Sequence, residues 1–260
     1  MKLNVTGRRV VVTGGSEGLG LATARAYAEA GADVAILARR PEPLEVARVE
    51  LERVSAGRVL AVRCDVSRPD EVRRAHAEID AALGGVDILV NNAGKASTMP
   101  FTDIDDETWQ SDLELKLFAS IRLTRLVWPG MKARRWGRVI NVLNTFAKAP
   151  GAGTAPTSVT RAAGMALTKV LSAEGAPDNI LVNALLVGLI ESQQFHRMHA
   201  SKAPEQPYEA FREKFEQGIP MRRIGRPEEF AGTALWLGSD AAGYVTGTAI
   251  NIDGGSCPVV

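Results

Sequence analysis

Short β-branched and aliphatic runs alternate along this chain with stretches of helical spacing. The runs at 9–13 (RVVVT), 33–38 (DVAILA), 58–63 (RVLAVR), 86–90 (VDILV), 138–143 (RVINVL), 180–186 and 248–252 predict strands. Between them apolar residues recur at helical intervals. Residues 18–30 place Leu19, Ala22, Ala26 and Ala30 on one side and stop at Gly31. Residues 42–55 carry Leu44, Val46 and Leu51, and residues 69–83 turn Val72, Ala75, Ile79 and Leu83 inward before Gly84-Gly85. Further helices are expected over 105–131, 157–174 and 227–237. Strands that are apolar throughout and separated by helices are parallel and covered on both faces. The pattern therefore predicts an α/β protein, a single doubly wound parallel sheet with helices on both faces and right-handed crossovers. No Pro/Gly/Ser-rich linker interrupts it, so 1–260 is expected to be one domain. The least regular stretch, 189–218, comes after a late strand and reads as a candidate substrate lid.

Composition narrows the class further. Of 260 residues, 45% are hydrophobic and 23% charged, which excludes a disordered chain. The 31 basic and 30 acidic side chains leave a net charge of +1, so no bulk field draws nucleic acid or acidic substrates. Cys64 and Cys257, with no C-x-x-C, give neither a disulfide scaffold nor a zinc ribbon. No cluster has metal-ligand spacing. The opening MKLNVTGRRVVVTGG lacks the apolar region of a signal peptide, and no apolar run is long enough to span a membrane. The expectation is a soluble cytoplasmic protein with a small-molecule substrate and neither nucleic acid nor membrane as partner.

The glycine cluster adds chemistry. Thr13-Gly14-Gly15-Ser16-Glu17-Gly18-Leu19-Gly20 lies between the first strand and the first helix. Gly14 permits a tight turn, Gly18 lets the backbone approach a pyrophosphate, and Gly20 allows close helix–sheet packing. The unpaired N–H groups of the helix N-terminus then face the phosphates. Gly14, Ser16, Glu17, Gly18, Leu19 and Gly20 are thus candidate dinucleotide contacts. The second strand ends at Ala38, where an acidic residue would select NAD(H) through the ribose 2′-OH. Arg39 and Arg40 come next instead. A guanidinium there forms bidentate bonds to a 2′-phosphate, which favours NADP(H) over NAD(H). The alternatives are that both arginines are solvated charges at a strand end, and that Glu17 disfavours the phosphate.

Asn91-Asn92-Ala93-Gly94 follows the fourth strand directly. TGxxxGxG at 13–20 with NNAG at 91–94 resembles the short-chain dehydrogenase/reductase family, over nearly the whole chain. Asp65-Val66 looks like that family's adenine-contacting pair. Val187–Ser192 looks like its Pro-Gly loop with Val187 in place of proline. Arg226-Pro227-Glu228-Glu229, Ser239-Asp240, Tyr244–Gly247 and Asp253-Gly254-Gly255 match its C-terminal third. The resemblance implies a Rossmann-type fold and adds Asp65, Val66, Asn91, Ala93, Gly94, Gly188 and Ile190 to the candidate cofactor contacts. It also implies a homo-oligomer, a tetramer or dimer.

The same resemblance exposes a departure. The family works with an asparagine, a serine and a Y-x-x-x-K pair. Counting back from Ala166-Leu167-Thr168-Lys169 puts Arg161 at the lysine, Thr157 at the tyrosine and Asn144 at the serine; Lys116, seven after Trp109, stands at the asparagine. No tyrosine lies between Asn91 and Gly188. Threonine is no substitute for a phenol, whose pKa is about 10. Arg161 keeps a cation for the cofactor ribose but cannot shuttle a proton. Asn144 can donate to a substrate oxygen. Lys116 shares a helical face with Trp109, Leu113 and Ser120; it either points into the site with a lowered pKa or snorkels outward. His196, His199 and Tyr208 in the lid are alternative acids, and Lys148 is a candidate at the entrance. His76 and Cys64 read as structural.

Three functions fit these residues. One is an NADP(H)-dependent oxidoreductase acting on C=O, C=N or polarised C=C with an atypical catalytic site. Another is a non-redox lyase, isomerase or dehydratase on the same scaffold. The third is a catalytically silent NADP-binding protein.

Overall fold

Strands that are apolar on both faces need helices on both faces, and the chain supplies them. A computed structural model describes residues 3–260. In chain order its elements are β1 (Arg9–Thr13), α1 (Gly18–Glu29), β2 (Asp33–Ala38), α2 (Pro41–Glu52), β3 (Val59–Arg63), α3 (Pro69–Leu83) and β4 (Ile88–Asn91). Then come α4 (Asp106–Leu113), a π-helical turn at Glu114–Phe118, α5 (Ala119–Arg134), β5 (Gly137–Asn144), α6 (Thr157–Gly175) and β6 (Ile180–Val187). The chain closes with α7 (Gln193–Lys202), α8 (Tyr208–Glu216), α9 (Pro227–Gly238) and β7 (Ala249–Ile252). The seven strands form one sheet in the order β3-β2-β1-β4-β5-β6-β7, with every neighbouring pair parallel.

The two faces of the sheet bury separate apolar clusters. One gathers Val10, Val12, Val34, Ile36 and Val90 beneath α1, α2 and α9. The other gathers Val11, Leu37, Leu89 and Val139 beneath α3 and α5. The expected inward face of α3 is buried as read, at Val72, Ala75, Ile79 and Leu83.

Two expected faces are corrected. In α1 the buried residues are Gly20, Thr23, Ala24, Tyr27 and Ala28, while Leu19, Ala22, Ala26 and Ala30 flank them half-exposed. Small residues at Gly20, Ala24 and Ala28 let α1 lie close to the sheet, and the Tyr27 hydroxyl donates to the Ala234 carbonyl of α9 at 2.6 Å. In α2 the buried set is Leu44, Ala47 and Leu51, and Val46 is 67% exposed, because three- and four-residue steps hold one helical face and a two-residue step does not.

Two longer stretches are also corrected. The helix expected over 105–131 is broken by the π turn, whose extra residue rotates the turns of α5 beyond it. The buried positions there are Asp112, Lys116, Ala119, Leu123, Thr124, Val127 and Met131, not the Trp109–Leu113–Ser120 face. The stretch 189–218 is not irregular. It forms α7 and α8, which bury Phe195, Phe211, Ile219 and Ile224 in a cluster of their own. Phe195 and Phe211 pack with ring centroids 5.4 Å apart.

Candidate active site and cofactor cradle

Because every strand runs the same way, the loops after β1 to β6 open along one edge of the sheet. The strand order reverses between β1 and β4, and open α/β sheets bind ligands outside the strand ends at such a point. Gly14 and Gly18 have φ of +66° and +55°, left-handed conformations that glycine adopts without steric cost. A Cβ on Gly20 would run into the Gly14 carbonyl and come 2.6 Å from Asn92 Nδ2. Gly15 is a further obligatory glycine, since its Cβ would stand 2.7 Å from Ile36 Cγ2. Asn92 clamps this loop: its Nδ2 donates to the Thr13 carbonyl at 2.8 Å, while the Asn92 and Ala93 N–H groups donate to Thr13 Oγ1, each at 2.9 Å. Ser16 and Leu19 are half-buried on the loop.

The other candidate contacts divide. The Asn91 side chain turns into the core, donating to Asn141 Oδ1 at 2.9 Å, and Asn141 donates to Thr168 Oγ1 at 2.9 Å. Val66 is buried, and Asp65 accepts from the Ser67 N–H and hydroxyl at 3.0 and 2.7 Å. Gly188 leaves no room for a Cβ against Asp253, and buried Ile190 pairs with Gly225. At the end of β2, Arg39 lies 4.0 Å from Asp65. Arg40 pairs with Glu17 at 2.6 Å, and Glu17 also faces Arg197 of α7 at 3.6 Å.

Lys116 resolves inward, not outward. Its ammonium is fully buried, pairs with Asp112 four residues earlier, and donates to Thr157 Oγ1 at 2.7 Å. Thr157 Oγ1 also donates to the Ser97 carbonyl at 2.7 Å and accepts from the Ser97 N–H at 2.9 Å. A hydroxyl has one donor and two acceptor sites, so Thr157 is saturated. The segment before α4 is held over α6 by this contact and by the Thr98–Pro156 bridge. Burial, with Arg161 and Lys95 nearby, pushes the Lys116 pKa down to about 8 although Asp112 opposes it. It remains largely protonated at neutral pH.

Arg161 and Asn144 each keep unused bonding capacity. Arg161 Nη1 donates to the Val142 carbonyl at 2.6 Å, and its guanidinium presses on Gly94. Its Nε is buried without a partner, as are Asn144 Oδ1 and Asp112 Oδ2. Burial pushes Arg161 down to about 10, opposed by Asp112, which leaves it a cation at neutral pH.

The polar side chains of the 189–218 stretch are engaged with one another. Tyr208 donates to Glu191, His196 Nε2 lies 3.1 Å from the same carboxylate oxygen, and the two rings stack at 4.5 Å. Burial and Glu191 raise the Tyr208 pKa above that of a free phenol, making it a poorer acid. His199 Nε2 meets the Gln206 carbonyl at 2.7 Å, and Lys148 donates to the Ala249 carbonyl at 2.7 Å. Among the described residues no group of three or more His, Cys, Asp or Glu side chains could hold a metal ion, and no helix is long and apolar enough to cross a membrane.

Asp112, Ser97, Asn92 and Arg197 are the site residues that sequence reasoning missed. Asp112 carried a signal in its four-residue spacing from Lys116, and Asn92 in its place within the NNAG motif; Ser97 and Arg197 carried none.

Residues 14–256 match a family model described as enoyl-(acyl carrier protein) reductase. Nodulation protein G of Rhizobium sp. (strain N33) is 36% identical over 96% of this chain and 97% of its own. A 3-oxoacyl-[acyl-carrier-protein] reductase of Aquifex aeolicus (strain VF5) is 31% identical, over 98% of this chain and 99% of its own. L-sorbose reductase of Gluconobacter frateurii, solved in complex with NADPH and L-sorbose, superposes with a TM-score of 0.97 at 33% identity, covering 100% of both chains.

Proposed function

We propose, on the premise that this chain belongs to the short-chain dehydrogenase/reductase family, that it is an NADP(H)-dependent oxidoreductase of a small organic substrate with an atypical catalytic site. The cradle suits a dinucleotide: Gly14 and Gly18 bend the loop in left-handed conformations, and the N–H groups opening α1 carry no side-chain cap. Arg39 and Arg40 stand where a 2′-phosphate would be read, and the similarity to a reductase that binds NADPH supports the same cofactor here. The nicotinamide, when bound, supplies the hydride.

The observation that carries the atypical chemistry is the saturated, buried Thr157 hydroxyl. Thr157 has no bonding capacity to spare for a substrate, and the Lys116 ammonium is wholly buried between Asp112 and Thr157. Arg161 and Asn144 keep unused polar atoms and can hold the cofactor ribose and orient a substrate, yet neither donates a proton at neutral pH. A ketone reduced to an alkoxide needs an acid. A preformed iminium needs none, and a polarised C=C can take its proton from solvent. The substrate class favoured is therefore C=N or C=C, beneath the lid formed by 189–218. We place the protein in the cytoplasm as a dimer or tetramer, which light scattering would read.

The test is single-turnover transfer from deuterium-labelled NADPH to a panel of ketones, iminium ions and enones. Label in the iminium or enone products, with ketones inert, is expected. Ketone reduction at rates of about 1–10³ s⁻¹ refutes the assignment. Tight NADPH binding with no transfer to any class favours the silent-binder reading, which the saturation of Thr157 and the burial of Lys116 also fit.

A further inference from the structure

We infer that Glu17 is an internal competitor for the cofactor's 2′-phosphate and, through Arg197, a latch holding α7 against the glycine loop. The inference rests on the NADP(H) reading above. Glu17 is the residue that opens α1, with extended backbone at φ −153° and ψ 162°, and its side chain makes no capping bond. A short aspartate at this position ordinarily accepts from the helix N–H groups, a role the longer glutamate does not take here. Here its carboxylate turns instead to Arg40 at 2.6 Å and Arg197 at 3.6 Å. One carboxylate thereby ties together the glycine loop, the end of β2 and the lid helix. The start of α7 lies against the same loop, with Ser192 Cβ 3.9 Å from where a Gly18 Cβ would stand.

These bonds are made to be exchanged. The Glu17, Arg40 and Arg197 side chains are 37%, 56% and 66% exposed, so water screens each pair. Exposed pairs of this kind change an equilibrium by no more than about fivefold. A phosphate takes a guanidinium bidentately and more strongly than a screened carboxylate does. Arg39, only 4.0 Å from Asp65, is the less encumbered of the two arginines. A 2′-phosphate on Arg40 would displace Glu17 and repel it. Glu17 would then no longer be fixed for Arg197, and α7 would lose its tie to the loop. NADH, lacking the phosphate, would leave the tie in place.

The experiment titrates NADPH and NADH into the full chain as wild type, Glu17→Gln and Arg197→Gln, and follows amide exchange in α7. Glu17→Gln is expected to tighten NADPH about threefold to fivefold and to move NADH by less than about twofold. In the wild type, NADPH but not NADH should speed exchange in α7, and Arg197→Gln should show the faster exchange without nucleotide. Unchanged NADPH affinity in Glu17→Gln, or equal shifts for both nucleotides, overturns the competition. NADPH that slows α7 exchange more than NADH does overturns the latch. If no protein binds either nucleotide, the cofactor reading and the competition fall together. The latch is then judged on nucleotide-free Arg197→Gln, where unchanged exchange overturns it.

Discussion

Replacing Asp112 by asparagine removes the sole carboxylate bonded to Lys116 and keeps the shape of the side chain. Breaking a buried ion pair commonly costs about 3–5 kcal/mol, because one charge is left uncompensated. The structure sets a lower ceiling here. Burial already holds the Lys116 pKa at about 8 against an ordinary 10.5, which corresponds to about 3 kcal/mol of disfavoured charge. With Asp112 gone, Arg161 and Lys95 push it lower and the amine sheds its proton. A fully neutral lysine at pH 7 costs about 5 kcal/mol relative to the unfolded chain, so the added electrostatic loss stops at about 1–2 kcal/mol. The sign of the pH effect comes from the lowered pKa. Between pH 8 and 10.5 the folded amine is neutral while the unfolded one still holds its proton, so unfolding takes up a proton. Stability carried by this group is therefore lowest below pH 8 and rises with pH through that window. In Asp112→Asn the rise should begin below pH 7. Urea unfolding of both proteins at several pH values from 6 to 10 measures this, with the variant about 1–2 kcal/mol less stable at pH 7 and the gap closing as pH rises. A loss above about 3 kcal/mol that is the same at every pH, or no loss at all, would refute the reasoning.

Removing the Arg39 side chain should weaken NADPH by about 1–3 kcal/mol, the scale of a hydrogen bond to a charged group, and leave NADH nearly unchanged. Equal affinities of the unmodified protein for both nucleotides would contradict it. Thr157→Tyr with Arg161→Lys, Asn144→Ser and Lys116→Asn should raise ketone reductase activity modestly, towards the 10²–10⁴-fold range of general acid catalysis, about its lower end. Thr157→Tyr alone should fail in that assay, since a ring there must expel Ser97 and the Lys116 ammonium.

The fold was legible from local pattern. Continuous apolar strands separated by helices can only be a covered parallel sheet, and the glycine loop marks its ligand edge, because turn geometry and strand burial depend on neighbours in sequence. That no tyrosine lies between Asn91 and Gly188 was equally plain in the sequence. Tertiary structure decided what local spacing does not encode. The cluster in α7 and α8 joins Phe195 to Phe211 and Ile224 across two short helices separated by Pro204 and Pro207; Tyr208, Phe211 and Phe215 mark one face of α8, but the residues that face packs on come from other elements. Asp112 and Lys116 share a face by ordinary four-residue spacing. Whether that face met solvent or core depended on the π turn and on where α6 lies. Thr157 and Ser97 are 60 residues apart, and only the bridge between their segments shows that the hydroxyl is already spent. Glu17 looked like an obstacle to a phosphate while it was one letter in a glycine loop. Its meaning changed once two arginines, one from β2's end and one from α7, were found at the same carboxylate, because charge acts through space and not along the chain.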